Sequence, residues 1–254
     1  MLEIIQLPVL NDNYIYLIHE PVSGETAAVD PAVAGPVLET LAKKGWQLSY
    51  IFNTHHHGDH VGGNMELKQK TGCKIAGALA DRHRIPGIDV ALADGEQVML
   101  GQVVFEIMAT PGHTSGHIVY YAPEEQVLFC GDTLFVMGCG RLFEGSAAQM
   151  WQSLQALRAL PPETRLYCAH EYTLTNGRFA LSLEPNNPAL QQRMLKVQQL
   201  RAENRPTVPS TIAQEQATNP FFRADDPAFK AALNCPDQPA LAVFTEVRKR
   251  KDIF

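Results

Sequence analysis

Between Ile4 and Cys168 the chain runs in short apolar stretches, each closed within a few positions by Gly, Pro, Asp or Asn, the punctuation of strands that end in turns. The stretches YIYLIHE (14–20), TAAVD (26–30), SYIFN (49–53), KIAG (74–77), VVFEIMA (103–109), HIVYYAP (117–123), QVLFC (126–130) and LYCA (166–169) are predicted strands. Between them the spacing changes to that of helices at PVLETLAKKG (36–45), GGNMELKQKTG (62–72) and SAAQMWQSLQALRALPP (146–162). The first ends in a glycine suited to a C-cap, and the last opens on a Ser cap and stops at two prolines. Strands interleaved with helices predict sheets covered by helices, an α/β fold.

After Glu171 the texture becomes helical. Leu190, Met194, Val197 and Leu200 share one face of a predicted helix over 188–204, and PSTIAQEQ, DPAFKAAL and PALAVFTEVRKRK read as further short helices. This tail of roughly eighty residues has the size of a small domain. No internal repeat interrupts the pattern.

Composition narrows the class. With 254 residues and 45% apolar content, the chain can fill a sizeable core as one large domain or as a domain with a smaller appendage. No apolar run approaches the ~18 residues of a membrane span. The start, MLEIIQLPVLNDNY, lacks a basic flank and a small-residue cleavage pattern, so no secretory signal is expected. The five cysteines are odd in number and show no CxxC spacing, which predicts reduced core residues in a cytoplasmic compartment; a monomer is the expected state. A net charge of −6 argues against non-specific binding to nucleic acid or an anionic membrane. One end departs from that balance, because Arg248, Lys249, Arg250 and Lys251 are consecutive.

The segment THHHGDH (54–60) directly follows the predicted strand SYIFN. In an extended segment alternate side chains share a face, so His55 and His57 point together and His56 points away. Asp59 and His60 add a second nitrogen and oxygen pair, and Gly62 and Gly63 let the chain turn closely into the next helix. Three more predicted strands lead to one residue of ligand type each: His113, Asp132 and His170. Strands of one sheet end along a common edge, so these residues can meet although they are far apart in sequence. His19, His56, His83 and His117 are assigned to surface or core packing.

Five histidines (55, 57, 60, 113, 170) and two aspartates (59, 132) are too many donors for one catalytic ion that must keep an open position. They divide naturally between two ions, with His55, His57 and His113 on one, Asp59, His60 and His170 on the other, and Asp132 between. A water or hydroxide completes the bridge, and Asp59 is the catalytic residue placed to orient it. Zinc is the default metal, with iron and manganese also suited to imidazole and carboxylate. Asp30, closing TAAVD, is either an acceptor behind a ligand imidazole or a turn residue before Pro31. No GxSxG elbow or Cys-His pair offers covalent catalysis instead.

THHHGDH, TPGHTSGH, GDTLF and the Ala-His pair at 169–170 are similar to the successive metal motifs of the metallo-β-lactamase superfamily. NDNYIYLI (11–18), GCGRLFEGS (138–146), HEYT (170–173), PTVPSTIAQE (206–215), NPFFR (219–223) and the terminal VRKRKDIF resemble the glyoxalase II, or hydroxyacylglutathione hydrolase, family, over essentially the whole chain. The resemblance implies a four-layer αββα sandwich over 1–170 and a smaller α-helical substrate-binding domain over 171–254. It implies two divalent ions and hydrolysis of S-D-lactoylglutathione to D-lactate and glutathione. By position Arg141, Tyr172, Arg248 and Lys251 would hold the glutathione moiety. Where the family often has Lys-Phe-Tyr this chain has Arg141-Leu142-Phe143, so a hydroxyl contact to the peptide is missing at Phe143 and the charge at Arg141 has a different geometry. Other members of the superfamily suggest a persulfide dioxygenase with a single iron, or a phosphodiesterase. The first should lack a complete second metal site, and the second should carry a basic exosite.

Overall fold

The computed structural model describes all 254 residues, Met1–Phe254, and divides into two compact units, Met1–Ala109 with Ser115–Gly131, and Thr110–Thr114 with Asp132–Phe254. The first unit opens on an antiparallel hairpin of β1 (Glu3–Val9) and β2 (Asn13–His19), and β3 (Glu25–Val29) adds antiparallel to β2. Helix α1 (Gly35–Lys44) then carries the chain over to β4 (Gln47–Phe52), which lies parallel to β3. The one-turn α2 (Gly58–Val61) and α3 (Asn64–Thr71) lead to β5 (Lys74–Ala78), and β6 (Val90–Leu92) closes a sheet of order β1-β2-β3-β4-β5-β6. Strands β7 (Gln97–Leu100), β8 (Val103–Ala109), β9 (Ile118–Ala122) and β10 (Val127–Gly131) follow as antiparallel neighbours in a second sheet.

The two faces of the first sheet explain why β2 is buried along almost its whole length. On one face Ile15, Leu17, Ile51 and Ile75 pack with Val37 and Leu41 of α1 and Leu67 of α3. On the other, aromatic side chains meet the second sheet: Phe52 stacks on Tyr120 with ring centres 4.8 Å apart, and Tyr16 leans on Phe129 at 5.6 Å. Tyr120 lies wholly inside this layer, and its hydroxyl donates to the carbonyls of Asn53 at 3.0 Å and Ala76 at 3.2 Å. Burial keeps that phenol protonated well above its ordinary range.

In the second unit β11 (Leu134–Phe135) and β12 (Gly138–Cys139) form a short hairpin. Helix α4 (Ala147–Arg158) has the predicted cap, a reciprocal box in which Ser146 Oγ accepts from Gln149 N–H and the Gln149 side chain accepts from Ser146 N–H. Strand β13 (Arg165–Cys168) pairs antiparallel with the later β14 (Ser210–Thr211). The tail is helical, with α5 (Thr173–Leu183), α6 (Pro188–Ala202), α7 (Ile212–Thr218), α8 (Pro227–Ala232) and α9 (Ala240–Asp252). No helix is long and apolar enough to cross a membrane.

Every predicted strand and helix is present, and the additions have physical reasons. β1 is an edge strand whose Pro8 breaks the strand signal yet costs little there. β6 and β7 are only three and four residues long, too short to show a period. α5 escapes the apolar pattern because its buried face is only half apolar: Thr173, Asn176 and Gly177 are buried beside Phe179, Ala180 and Leu183. Gly177 lets α6 approach closely, since a Cβ there would displace the Met194 side chain of α6.

Candidate metal centre

Strands β3, β4 and β5 are parallel, so the segments after them emerge at one edge of the first sheet. Past Phe52 the chain stays extended, with His57 at φ −61° and ψ 145°. The predicted alternation follows: His55 Nε2 and His57 Nδ1 converge to 3.0 Å, while His56 turns to Asp81. One turn later Asp59 Oδ2 and His60 Nε2 stand 3.5 Å apart. Gly62 and Gly63 permit this placement, because Cβ atoms there would lie 2.5 Å from the Ala32 carbonyl oxygen and 2.7 Å from that of Pro31.

Between the two readings of Asp30, the structure selects the acceptor. Asp30 ends β3 in the left-handed region at φ 46°, and its Oδ1 accepts from Thr54 N–H at 2.8 Å. Its Oδ2 accepts from Thr54 Oγ1 at 2.7 Å and faces His60 Nδ1 at 3.1 Å. With Nδ1–H donated to Asp30, His60 presents its Nε2 lone pair on the opposite side of the ring. A second support was not recognised in the sequence. Asn13 Nδ2 donates to Asp59 Oδ2 at 3.0 Å and to the Asp59 carbonyl at 3.3 Å, tying the start of β2 to this acid. Asn13 lies in the NDNYIYLI stretch, but only the tertiary pairing reveals its role.

The second unit supplies three more donors. His113 Nδ1 donates to the Arg141 carbonyl at 2.8 Å, which turns its Nε2 toward Asp132 Oδ2 at 3.4 Å. The other oxygen, Asp132 Oδ1, faces His170 Nε2, also at 3.4 Å. Asp132 therefore offers one oxygen to each of two histidines, the posture of a carboxylate shared by two ions. His170 is itself backed by the Tyr172 ring, stacked at 4.8 Å and within 3° of parallel.

Groups of residues that could hold a metal ion are His55, His57 and His113; Asp59, His60 and His170; and, within the first unit, Asp30, His55 and His60, whose donor atoms lie within 4.8 Å of one another. Asp30 already receives the Thr54 and His60 hydrogen bonds, so it stands behind the donors. The donor set is imidazole and carboxylate, which fits divalent metal ions. No cysteine belongs to these groups, and burial pushes the Cys168 thiol up to about 12 and that of Cys139 up to about 11. The remaining histidines are engaged elsewhere: His19 stacks on Trp46 at 4.1 Å, His83 accepts from Arg82, and His117 stacks on His55 at 4.8 Å.

The residues expected to hold glutathione differ in exposure. Arg141 and Phe143 are exposed, Tyr172 is 38% exposed, and the Phe143 ring meets His113 edge-on at 5.2 Å. Arg248 points inward instead: it is 5% exposed, donates to the Cys139 carbonyl at 2.9 Å, and pairs with Asp252 at 3.1 Å. Lys251 is half-buried, its ammonium 5.3 Å from the ring centres of both Phe179 and Phe254. Burial, reinforced by Arg248 and Arg141, lowers its pKa to about 8. Lys249, Arg250 and Lys251 also occupy the last turn of α9, where cations favour the helix dipole.

Comparisons with known proteins match this layout along its length. The family model for the metallo-beta-lactamase superfamily matches residues 11–170, and that for the hydroxyacylglutathione hydrolase C-terminus matches residues 171–254. A hydroxyacylglutathione hydrolase of Methylococcus capsulatus is 61% identical over 254 residues, covering 100% of this chain and 99% of that relative. A hydroxyacylglutathione hydrolase of Maricaulis maris is 51% identical, covering 98% and 97% respectively. Among solved structures, ETHE1 from Myxococcus xanthus superposes with a TM-score of 0.67 at 26% identity over 99% of both chains. The fold is thus the metallo-β-lactamase fold with a C-terminal helical region, as the sequence motifs implied.

Proposed function

We infer the reaction from one premise, that the chain belongs to the hydroxyacylglutathione hydrolase family of the metallo-β-lactamase superfamily. The proposed reaction is hydrolysis of S-D-lactoylglutathione, and of related 2-hydroxyacylglutathiones, to the hydroxy acid and glutathione, the second step of methylglyoxal detoxification. The structural observation that carries it is Asp132, with one oxygen toward His113 and the other toward His170. We assign His55, His57 and His113 to one ion and Asp59, His60 and His170 to the other, with Asp132 shared. Zinc as the resident metal, a monomer in the cytoplasm, and a division into a catalytic domain over 1–170 and a substrate domain over 171–254 belong to the same proposal. The five free cysteines support the reducing compartment.

When bound, the two ions supply Lewis acidity, lowering the pKa of water toward neutrality and polarising a carbonyl. The chain supplies the rest. Asp59, its Oδ2 held by Asn13, is fixed to accept a hydrogen bond from the attacking water and so to orient it. Asp30 keeps the hydrogen of His60 on Nδ1, which maintains Nε2 as a donor. No protein acid need protonate the leaving group, because a thiol of pKa near 8.5 departs readily as thiolate. Arg141 and Lys251 offer cations to the two carboxylates of glutathione, whereas the buried Arg248 acts by holding the Cys139 carbonyl and Asp252 in place.

Lys251→Ala should raise KM about tenfold, the equivalent of one lost charge-assisted contact, with kcat within about twofold. The native KM should also depend on pH with a definite sign. Below about 8 Lys251 is charged and attracts the substrate carboxylate; as pH rises through that value the charge and the affinity are lost. Lys251→Arg, which stays charged, should remove that rise in KM. A KM that is flat with pH in the native enzyme would remove Lys251 from the substrate site.

The reaction itself is tested by following S-D-lactoylglutathione beside a thioester without glutathione, a generic phosphodiester, and oxygen uptake with glutathione persulfide. Preference for the glutathione thioester, with no oxygen uptake, supports the proposal. Equal rates on both thioesters, turnover of the phosphodiester, or oxygen uptake would overturn it.

A further inference from the structure

The histidine that turns away from the metal ligands does not face solvent. His56 Nδ1 lies 3.0 Å from Asp81 Oδ2, and Arg84 Nη1 lies 3.3 Å from His56 Nε2. Since a guanidinium only donates, His56 Nε2 is the acceptor and Nδ1 carries the hydrogen given to Asp81. Asp81 is fully buried, and its Oδ1 accepts from Arg84 Nε at 3.1 Å and Nη2 at 2.5 Å. Arg84 Nη2 also donates to Ser115 Oγ at 3.0 Å. Gly116 presses directly on this carboxylate, so closely that a Cβ there would run into it.

The fold explains the meeting. β4 and β5 are parallel partners, so the segments after them, Asn53–His57 and Leu79–Arg84, leave the sheet side by side. The segment before β9 is drawn to the same place, where Ile118 N–H donates to the Thr54 carbonyl at 2.9 Å. Asp81 and Arg84 therefore grip one chain segment through His56, between ligands His55 and His57, and another through Ser115, two residues after ligand His113.

We propose that the buried Asp81–Arg84 pair is a positioning brace that, through His56 and Ser115, holds the segments bearing His55, His57 and His113, and so supports one of the two ions separately from the other. Of the other ion's ligands, Asp59 is held by Asn13 and His60 by Asp30, and Asp30 also reaches His55 through Thr54 Oγ1, 3.0 Å from His55 Nδ1. The proposal rests on the two-ion reading given above. It implies that the two ions can be weakened one at a time by residues that touch neither.

The test is stepwise zinc binding to the metal-free full-length chain, measured by competition with a chromophoric chelator and by ions per chain. Arg84→Ala is the main variant because its own side chain is partly exposed, and since it leaves the buried Asp81 carboxylate without its cation, the double variant Arg84→Ala with Asp81→Asn is measured beside it. It should weaken one ion by roughly 10–100-fold, the range for loss of an outer-shell support, and leave the other within about twofold. Combined with His113→Ala it should add little to the loss already present, whereas combined with His170→Ala the two effects should add. Asp81→Asn should follow Arg84→Ala, and circular dichroism of each metal-free variant checks that it folds. Unchanged binding of both ions in Arg84→Ala, equal weakening of both, or full additivity with His113→Ala overturns the brace. A native chain that binds a single ion overturns the two-ion reading instead, and is distinguishable because it needs no variant.

Discussion

Asp132→Ala should lower kcat on the glutathione thioester by about 10²–10³-fold, the range for removing one fixed electrostatic element of a transition-state site. The expectation follows from position. Asp132 comes directly after β10, is nearly buried, and points one oxygen at His113 Nε2 and the other at His170 Nε2. Under the proposed assignment Asp132 is the carboxylate shared by the two ions, so its removal would leave their charges without that anion. Ions per chain should fall from two toward one, and Asp132→Asn, which keeps the shape without the charge, should fall between native and alanine. Without metal the ordering of stability should reverse, because a buried carboxylate lacking its counter-ions is costly to keep. Metal-free Asp132→Ala should melt no lower than the metal-free native chain. A variant that kept both ions and most of its turnover would show that Asp132 is not shared.

The largest stability effect is expected outside the donor set, at Glu215→Ala. Glu215 is fully buried in α7 and accepts four hydrogen bonds: from Arg193 at 2.6 Å, Ser210 Oγ at 2.5 Å, Met137 N–H at 2.7 Å and Asn219 Nδ2 at 2.9 Å. Alanine leaves the Arg193 guanidinium, itself mostly buried, without its anion, and such a broken buried pair costs about 3–5 kcal/mol. At roughly 2–4 °C per kcal/mol for chains of this size, the thermal midpoint should drop by about 6–20 °C. Replacing Arg193 and Glu215 together should cost less than the sum of the single losses, since the uncompensated charge is then gone. Asn219 donates to the carbonyls of Phe135 and Gly138, and Arg248 to that of Cys139, so the hairpin of β11 and β12 is held from both α7 and α9. A midpoint within 2 °C of native would mean that the Glu215 network contributes little.

The candidate metal donors are legible because their signal is local. Alternation alone separates His55 and His57 from His56, and the strand-end positions of His113, Asp132 and His170 follow from apolar runs with abrupt ends. Asp30 was half legible, as a residue closing a strand that could equally have been a turn. Asn13, Asp81 and Arg84 were not legible, because each acts across the parallel strands or a hairpin and none stands in a distinctive spacing. The Arg248 side chain shows the same limit from the other side. Its place in a basic run does not reveal its surroundings, since packing against Phe221 and the Cys139 carbonyl turns it inward while Arg141, Lys249 and Arg250 are exposed. Elements escape where the pattern is weak: β1 by its proline, β6 and β7 by their length, and α5 by the polar residues and glycine on its buried face.

The central claim, that chain segments distant in sequence jointly hold two ions which act together, is tested most directly by adding zinc in steps to metal-free enzyme while recording thioester hydrolysis. Turnover should stay low through the first equivalent and reach its plateau at two per chain. Full turnover at one equivalent, unchanged when His170 is replaced by alanine, would contradict it.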